Sequence, residues 1–248
     1  MIELNNVLAG YRSDNGSQVP VLKGLSLKVT QGEFVTIIGG NGAGKSTFMN
    51  VLAGDLIPFR GSVFFGDLDV TAMDVRRRSP YVARVFQDPR TGSFPDMSIE
   101  ENLAIAYQRG KAFDFRIGLS FPKRRFFRDA LAGLGIGLED QLNTRMGSLS
   151  GGQRQAVSLV MACLCDCKLL LLDEHTAALD PGMAEKILRL SLEFVGKKNL
   201  TTFMITHSMQ QALACGDRTL LLKDGAIAAD LNQKERAAMK PDDLVGYF

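Results

Sequence analysis

A glycine-rich stretch at residues 39–46, GGNGAGKS, constrains the fold most, because it matches the pattern G-x-x-x-x-G-K-[ST]. It lies between an apolar run at 34–38, which predicts a buried strand, and a helical pattern at 45–53. Glycines at a helix N-terminus let several backbone N–H groups point toward one anion. The stretch therefore predicts a site for the phosphates of a nucleoside triphosphate.

Within this stretch, Lys45 can reach the β- and γ-phosphates, and the Ser46 hydroxyl is a ligand for Mg²⁺. The residues that we expect to bind ATP here are Gly39, Gly40, Asn41, Gly42, Ala43, Gly44, Lys45, Ser46 and Thr47.

Short apolar runs alternate with helical patterns along most of the chain, which predicts a mostly parallel sheet with helices on both faces. Further strands are expected at 82–86, 169–172 and 201–206, and helices at 181–195 and 208–214. Three short strands near the N-terminus predict an additional antiparallel layer; they lie at 2–9, 21–29 and 62–65. The fold class is thus α/β.

Two acidic residues and a histidine follow predicted strands. Asp173 and Glu174 come after the run at 169–172, and His207 follows the run at 201–206. Since ligands of α/β sheets bind at the carboxyl ends of strands, Asp173 suits a Mg²⁺ ligand and Glu174 a group that orients water. His207 is either a γ-phosphate ligand or a core or capping histidine, and the acidic pair is otherwise surface charge.

The composition is that of a globular protein, with 46% apolar and 23% charged residues and a net charge of +2. These values exclude a disordered, collagenous or coiled-coil chain. The start of the chain lacks the pattern of a secretory signal, and no uncharged apolar run approaches the roughly 20 residues of a membrane helix. Of the four cysteines, Cys163, Cys165 and Cys167 lie close together. They are interpreted as small buried hydrophobic residues rather than metal ligands.

Residues 149–153, LSGGQ, precede a helical pattern that begins at 154. Ser150 and Gln153 have capping-box spacing, so a capped helix explains the stretch on its own, but two adjacent glycines also leave a helix N-terminus open to an anion. LSGGQ together with the phosphate loop, Asp173-Glu174 and His207, in this order, resembles the ATP-binding cassette (ABC) ATPases over nearly the whole chain.

This resemblance assigns further residues. Tyr11 matches the aromatic residue that stacks on adenine, Gln87 the glutamine that touches Mg²⁺ and senses the transporter, and Asp180 the aspartate of the segment after the catalytic glutamate. Expected catalytic residues are then Glu174, His207 and Gln87; Mg²⁺ ligands are Ser46, Gln87 and Asp173. The resemblance also implies a head-to-tail dimer in which Ser150, Gly151, Gly152, Gln153 and Asp180 complete the partner's ATP site.

The chain departs from the family pattern at three positions. His175 stands in place of the usual proline after the catalytic glutamate, Ala178 in place of a serine, and Gly40 where other small residues or proline are common. The first two positions do not contact the reacting groups in the family, and a glycine at position 40 is compatible with a phosphate loop. The ATPase prediction therefore stands, and His175 is not counted as catalytic.

The resemblance predicts one P-loop NTPase domain over 1–248, with an α/β core at 1–88 and 166–248 and an inserted helical subdomain at 89–165. A basic segment at 111–128 holds six Lys or Arg residues, one Asp and five Phe residues. It suits a solvated helix, a surface that contacts a permease or lipid head groups, or, least of all, nucleic acid.

The predicted function is that of the ATPase subunit of an ABC transporter, similar to the ATP-binding proteins of bacterial importers. Its expected partners are membrane permease subunits and a solute-binding protein, its expected place is the cytoplasmic face of the inner membrane, and its solute is expected to resemble an amino acid. Two alternatives stay open: a soluble ABC ATPase of cytosolic machinery such as iron–sulfur cluster assembly, and a scaffold that binds nucleotide but barely hydrolyses it.

Overall fold

The computed structural model describes residues 1–110 and 121–247. The strands are β1 (Ile2–Arg12), β2 (Gln18–Val29), β3 (Phe34–Gly39), β4 (Arg60–Phe65), β5 (Leu68–Asp69), β6 (Val82–Val85), β7 (Leu169–Asp173), β8 (Thr201–Ile205), β9 (Arg218–Lys223) and β10 (Ala226–Leu231). The helices are α1 (Lys45–Ala53), α2 (Val75–Arg78), α3 (Ile99–Tyr107), α4 (Phe121–Ala132), α5 (Gly151–Cys163), α6 (Pro181–Lys198), α7 (Met209–Ala214) and α8 (Gln233–Ala238), with 3₁₀ turns at Met146–Ser148 and Pro241–Tyr247.

The larger sheet has the strand order β10-β9-β3-β8-β7-β6. All neighbours from β9 to β6 pair in parallel, and β10 pairs with β9 in the antiparallel direction. The prediction of a mostly parallel sheet is confirmed. Because β3, β7 and β8 are adjacent and parallel, the phosphate loop, the acidic pair and His207 leave the sheet at the same edge.

Both faces of this sheet are buried. In β7, Leu170 and Leu172 pack into a core with α5 and α6, whereas Leu169 and Leu171 pack into a second core with α1. A strand buried on both sides needs apolar residues at every position. This requirement explains the unbroken leucine run that precedes Asp173.

A second, antiparallel sheet has the order β2-β1-β4-β5. Its buried side chains, among them Leu4, Val7 and Val63, share the core that also contains Phe48 and Met49 of α1. The N-terminal antiparallel layer is therefore confirmed, and α1 lies between the two sheets. Helix α1, which follows the phosphate loop, is thus packed against both sheets.

The described part of residues 89–165 contains α3, α4, α5 and a short 3₁₀ turn. Ile99 and Leu103 of α3 and Phe127 of α4 pack in the same core as α5. The division of the chain into 1–88 with 166–248 and an inserted 89–165 remains a prediction. Of the basic segment, Lys111, Asp114 and Arg116 lie outside the described residues.

The end of the chain is more ordered than its sequence suggested. The sequence there offers one turn signal, Asp224-Gly225, and in the structure this turn connects β9 and β10 as a hairpin, with Asp224 at φ 50° and Gly225 at φ 83°. Two residues with positive φ are characteristic of the hairpin turn that fits twisted strands. The sequence-based reading therefore missed two strands of the larger sheet.

Among residues 1–110 and 121–247, no helix combines the length and apolar character that crossing a bilayer requires.

Candidate functional site

The phosphate loop connects β3 to α1 through glycines with left-handed backbone conformations. Gly42 has φ 78° and Gly44, the residue before α1, has φ 102°. Residues with a Cβ rarely adopt these values. The Lys45 ammonium group donates to the carbonyl oxygens of Gly39 at 2.7 Å and Gly40 at 3.0 Å. Lys45 therefore lies over the loop where the phosphates of ATP are predicted.

Two opposing influences act on Lys45. Burial lowers the pKa of its ammonium group below the usual value, while the negative charges of Glu174 and Asp173 raise it. The burial effect is the larger one. The loop thus brings a desolvated cation close to both carboxylates, an arrangement suited to binding phosphate.

The other end of α1 is held by a buried arginine from α2. The Arg78 guanidinium donates to the carbonyl oxygens of Val51, Leu52, Val70 and Thr71, and the residue has no exposed surface. Burial lowers the Arg78 pKa to about 10. The bonds to Val51 and Leu52 satisfy carbonyl groups at the C-terminus of α1, which would otherwise lack partners, and the other two tie the helix to the segment after β5.

Glu174 and His207 meet at the carboxyl ends of β7 and β8. The Nε2 atom of His207 lies 2.6 Å from Oε1 of Glu174. The Glu174 side chain is largely buried, while that of His207 is half exposed. Glu174 has φ 47°, an unusual backbone conformation for a residue with a side chain. The alternative of a core histidine is wrong, because the His207 side chain lies at the surface beside the acidic pair.

His175 lies away from this pair, inside the protein. Its Nε2 atom is 3.0 Å from the Ser191 hydroxyl of α6, and burial lowers its pKa to about 4. Its carbonyl oxygen accepts from Nε2 of Gln155, which also donates to the carbonyl oxygen of Phe86. Sequence reasoning missed Gln155, a fully buried amide that joins α5 to the ends of β6 and β7.

Asp173 is also paired, with a residue that sequence reasoning did not single out. A guanidinium nitrogen of Arg84 in β6 lies 2.6 Å from Oδ2 of Asp173. The other guanidinium terminus donates to Asn50 in α1 and to Asp55. An arginine in the middle of an otherwise apolar strand was the available sequence signal. The amide of Asn50 donates in turn to the hydroxyl of Tyr11 at 3.4 Å.

The signature segment 149–153 forms the beginning of α5. The Ser150 hydroxyl accepts from the backbone N–H of Gln153, and the Gln153 side chain accepts from the backbone N–H of Ser150. The predicted capping box is confirmed. The two glycines differ: a Cβ on Gly151 meets open space, whereas one on Gly152 would lie 2.4 Å from Cγ of Met183 in α6.

Gln87 follows β6 and is exposed. It lines one open groove together with Gly151 at the start of α5 and Ala178, so the structure brings these three segments together. Asp180 accepts from the backbone N–H of Met183 and caps α6, with Pro181 in the first turn. Asp180 and Pro181 therefore form a local helix start, whatever else Asp180 contacts.

A second cleft, of about 350 Å³, lies next to this groove, between β6, α3 and α5. Its lining includes the exposed ring of Phe94 and the side chains of Ile105 and Met161. It also includes Arg84, Arg109 and Ser158, whose Nε or Oγ atoms have no hydrogen-bond partner among the described residues. The surface of the cleft is therefore mainly apolar, and these three donor atoms are buried beneath it.

The cysteines form no metal centre in the described part of the chain. Cys163, Cys165, Cys167 and Cys215 are all free and buried, and no group of three or more His, Cys, Asp or Glu residues within residues 1–110 and 121–247 could hold a metal ion. Helix α5 ends at Cys163, so the other two nearby cysteines do not continue it. The interpretation as small buried hydrophobic residues is confirmed.

Comparison with known proteins agrees with the geometry. The family model described as ABC transporter matches residues 22–177. The tyrosine transport ATP-binding protein of Clostridioides difficile (strain R20291) is 36% identical over 248 residues, covering 100% of this chain and 98% of the relative. The thiamine import ATP-binding protein ThiQ of Salmonella paratyphi A is 34% identical, covering 82% of this chain and 81% of the relative.

Among solved structures, the dimeric post-hydrolysis state of the ATP-binding cassette MJ0796, bound to ADP and Pi, superposes with a TM-score of 0.77. The two proteins are 26% identical, and the match covers 94% of this chain and 99% of that one. The fold and site thus define an ATP-binding cassette, a P-loop NTPase that binds ATP. The chain belongs to the ABC transporter family; it is an ATPase, the ATP-binding subunit of an ATP-driven transporter.

Proposed function

We propose that the chain powers import of a small solute by hydrolysing Mg-ATP in a head-to-tail dimer attached to separate membrane subunits. The observation that carries hydrolysis is the pair formed by Glu174 and His207 at the ends of two adjacent strands, beside Lys45. A carboxylate near a phosphate site, with a histidine at hydrogen-bond distance, suits the activation of water. The remaining proposals build outward from this pair.

The phosphates of ATP bind the N–H groups of the loop 39–47, and adenine stacks on Tyr11. Tyr11 is 49% exposed, so its ring is available on one side. Lys45 exchanges its bonds with the carbonyl oxygens of Gly39 and Gly40 for the β- and γ-phosphates. This exchange replaces neutral acceptors with charged ones, and hydrogen bonds to charged groups are the stronger kind.

The proposed Mg²⁺ ligands fit the ion chemically. Ser46, Gln87 and Asp173 offer a hydroxyl, an amide and a carboxylate oxygen, and Mg²⁺ binds oxygen ligands. Asp173 is one residue from Glu174 and close enough to Lys45 to raise its pKa, so it borders the phosphate site. When bound, Mg²⁺ neutralises charge that develops on the transferred phosphoryl group.

Glu174 orients and polarises the attacking water, and His207 binds the γ-phosphate. The Nε2 atom of His207 lies against Glu174 in the isolated chain. The same atom serves the phosphate when ATP is present, and this change frees the carboxylate for water. The negative charge of Glu174 raises the pKa of Lys45, so the carboxylate lies near the loop that would hold the phosphates.

The second half of each ATP site comes from the signature segment of another subunit. In the proposed dimer, Ser150, Gly151, Gly152 and Gln153 contact the partner's nucleotide, and Asp180 lies at the interface. Ser150 and Gly151 are exposed, which suits this role. The dimeric state of the ATP-binding cassette MJ0796 supports a homodimer.

The cleft between β6, α3 and α5 is the proposed contact with the membrane subunits. The exposed Phe94 ring and the apolar side chains of Ile105 and Met161 suit an apolar helix. Gln87 lies in the adjoining groove, so it relays the state of the nucleotide to this surface. The chain then lies at the cytoplasmic face of the inner membrane, as a peripheral subunit.

Names of relatives support a transporter with a small solute. One relative is a tyrosine transport ATP-binding protein and another is a thiamine import ATP-binding protein. We propose an amino-acid-like solute, delivered by a solute-binding protein, because the tyrosine relative matches over the whole chain. These relatives do not favour the cytosolic-machinery alternative, and contact with nucleic acid is not proposed.

Replacing the proposed base tests hydrolysis. Glu174→Gln should keep ATP binding and lower steady-state turnover by about 10²–10⁴-fold, because an amide cannot accept the proton of the attacking water. Turnover is measured by phosphate release, and ATP binding by a fluorescent analogue. Glu185→Gln on the exposed face of α6 is the control. Wild-type turnover in Glu174→Gln would remove Glu174 from catalysis.

Coupling to a membrane partner is tested in cells that express the neighbouring genes. We expect the chain to sediment with membranes and to copurify with an integral membrane protein that raises its ATPase rate. Gln87→Ala should reduce this stimulation more than it reduces ATP binding. If the chain stays wholly in the cytosolic fraction and copurifies with cluster-assembly proteins, the transporter proposal falls and the cytosolic alternative replaces it.

A further inference from the structure

We propose that Arg84 is a positioning residue that holds Asp173 for Mg²⁺, so that it sets how strongly Mg²⁺ strengthens ATP binding. This inference rests on the proposed role of Asp173 as a Mg²⁺ ligand. It assigns a function to a buried cation that neither the phosphate loop nor the Glu174–His207 pair requires. Arg84 acts on the carboxylate of Asp173 and not on the reacting atoms.

The geometry around Arg84 is that of a brace. One guanidinium terminus donates to Oδ2 of Asp173 at 2.6 Å. The other terminus donates to Oδ1 of Asn50 at 2.9 Å and to Oδ2 of Asp55 at 3.0 Å. Asn50 belongs to α1, the helix that begins with Lys45 and Ser46. Arg84 therefore joins the strand end that carries one proposed ligand to the helix that carries another.

Arg84 is itself fixed in place. Its side chain is only 12% exposed, its guanidinium lies 4.8 Å from the centre of the Phe86 ring, and its backbone is part of β6, paired in parallel with β7. A rigid, planar fork loses little freedom when it holds two partners. The brace thus orients Asp173 before the metal arrives.

The bonding pattern leaves half of the carboxylate for the metal. Arg84 donates to Oδ2 of Asp173, and no described residue donates a hydrogen bond to Oδ1. One oxygen is thereby anchored while the other stays available to Mg²⁺ or its bound water. Removing a residue that orients a metal ligand typically costs about 10–100-fold in metal affinity.

The test separates metal binding from phosphate binding. The dissociation constant of a fluorescent, non-hydrolysable ATP analogue is measured for the full chain once in EDTA and once in excess Mg²⁺. The Mg²⁺ gain is the ratio of the dissociation constant in EDTA to that in Mg²⁺. Arg84→Met should reduce this gain by about tenfold, and its dissociation constant in EDTA should equal that of the wild type. Arg84→Lys, which keeps the charge but loses the fork, should fall between the two.

Controls distinguish this inference from the proposal beneath it. Arg76→Met, on the exposed face of α2, should change neither constant, and the thermal unfolding midpoint of each variant confirms folding. Asp173→Asn should lose the Mg²⁺ gain; if it does not, the proposed metal role of Asp173 fails. If Asp173→Asn loses the gain but Arg84→Met keeps it, only the Arg84 inference fails.

Two further outcomes overturn the inference. Equal weakening in EDTA and in Mg²⁺ would mean that Arg84→Met only loosens the phosphate loop. A larger Mg²⁺ gain in Arg84→Met would mean that the guanidinium repels the metal rather than positions its ligand. Should Arg84→Met fail to fold, Arg84→Lys carries the test, and an unchanged Mg²⁺ gain in that variant also overturns the inference.

Discussion

The phosphate loop and the signature segment both place glycines at the start of a helix, but they are held in different ways. The loop at 39–46 lies at the end of a strand buried on both faces, and α1 is enclosed by two sheets. The segment at 149–153 is exposed at Ser150 and Gly151 and caps its own helix with Ser150 and Gln153. The conformation of the phosphate loop depends on the core, and that of the signature segment depends mainly on local hydrogen bonds.

This difference matches what each half has to do. In the proposed site the loop must hold Lys45 in place, and the end of β7 must hold Asp173, while phosphate charge arrives. The bonds of Arg78 and Arg84 to α1 serve this purpose. In the proposed dimer the signature has only to present N–H groups to the other subunit, and a self-capped helix keeps those groups ordered without an interface. The comparison predicts that lesions in the two halves have different consequences for stability and similar consequences for turnover.

The largest expected effect comes from variants that disable the phosphate loop or the signature segment. Homodimers of Lys45→Ala lose the charge that faces the phosphates, and homodimers of Ser150→Arg block the signature, so both should be nearly inactive. A mixed dimer of the two variants collects both lesions in one composite site and leaves the other site whole.

ATPase activity should therefore return only in the mixed dimer, measured by phosphate release from dimers purified with two different tags. Mixed dimers of each variant with wild type are the controls. A mixed dimer as inactive as both parents would count against independent composite sites.

The next effect concerns His175, which lies behind the acidic pair. Its pKa in the folded chain is about 4, below its unfolded value near 6.5. Below pH 6.5 His175 binds a proton in the unfolded chain but stays neutral in the folded chain. The free energy of unfolding therefore decreases as the pH falls from 6.5 to 4. The loss attributable to His175 is about 3 kcal/mol.

Urea unfolding at several pH values checks this dependence. His175→Gln, which does not titrate, should show a smaller loss of unfolding free energy over this interval than the wild type. Parallel curves for the two proteins would mean that His175 is accessible to protons in the folded chain.

The anchoring of α1 gives an effect of similar or smaller size. Arg78→Met removes four hydrogen bonds from buried carbonyl groups and should lower the free energy of unfolding by about 3 kcal/mol. Arg77→Met, whose side chain is exposed, should change it by less than about 0.5 kcal/mol. If Arg78→Met unfolds at the same urea concentration as the wild type, the hydrogen bonds of Arg78 do not stabilise α1 as we describe.

The smallest effect separates the two glycines of the signature. Gly152→Ala should destabilise the chain by about 1 kcal/mol, because the new methyl group meets Met183 and its overpacking exceeds the gain in helix propensity. Gly151→Ala meets open space and should be neutral within about 0.5 kcal/mol. Thermal unfolding compares the two. Equal midpoints would show that Met183 moves aside freely.

Much of the fold was readable because its signals are local. Apolar runs, capping residues and glycine spacing identified β3, α1, β7 and α5, and the shared edge of the functional residues followed from the rule that ligands bind at the carboxyl ends of parallel strands. The hairpin of β9 and β10 escaped notice because its strands depend on pairing partners far away in the sequence: β9 pairs with β3. A turn signal alone does not reveal such a partner.

The candidate site divides in the same way. The sequence by itself determined the residue types and their order: the phosphate loop, Gln87, the signature, Asp173-Glu174 and His207. Only the tertiary structure decided which groups touch, because contacts between strand ends depend on packing across the sheet. It paired His207 with Glu174, buried His175 against Ser191, and set Arg84 between Asp173 and Asn50. Local patterns specify each element, but charges separated by 89 residues meet only when the strands that carry them are adjacent.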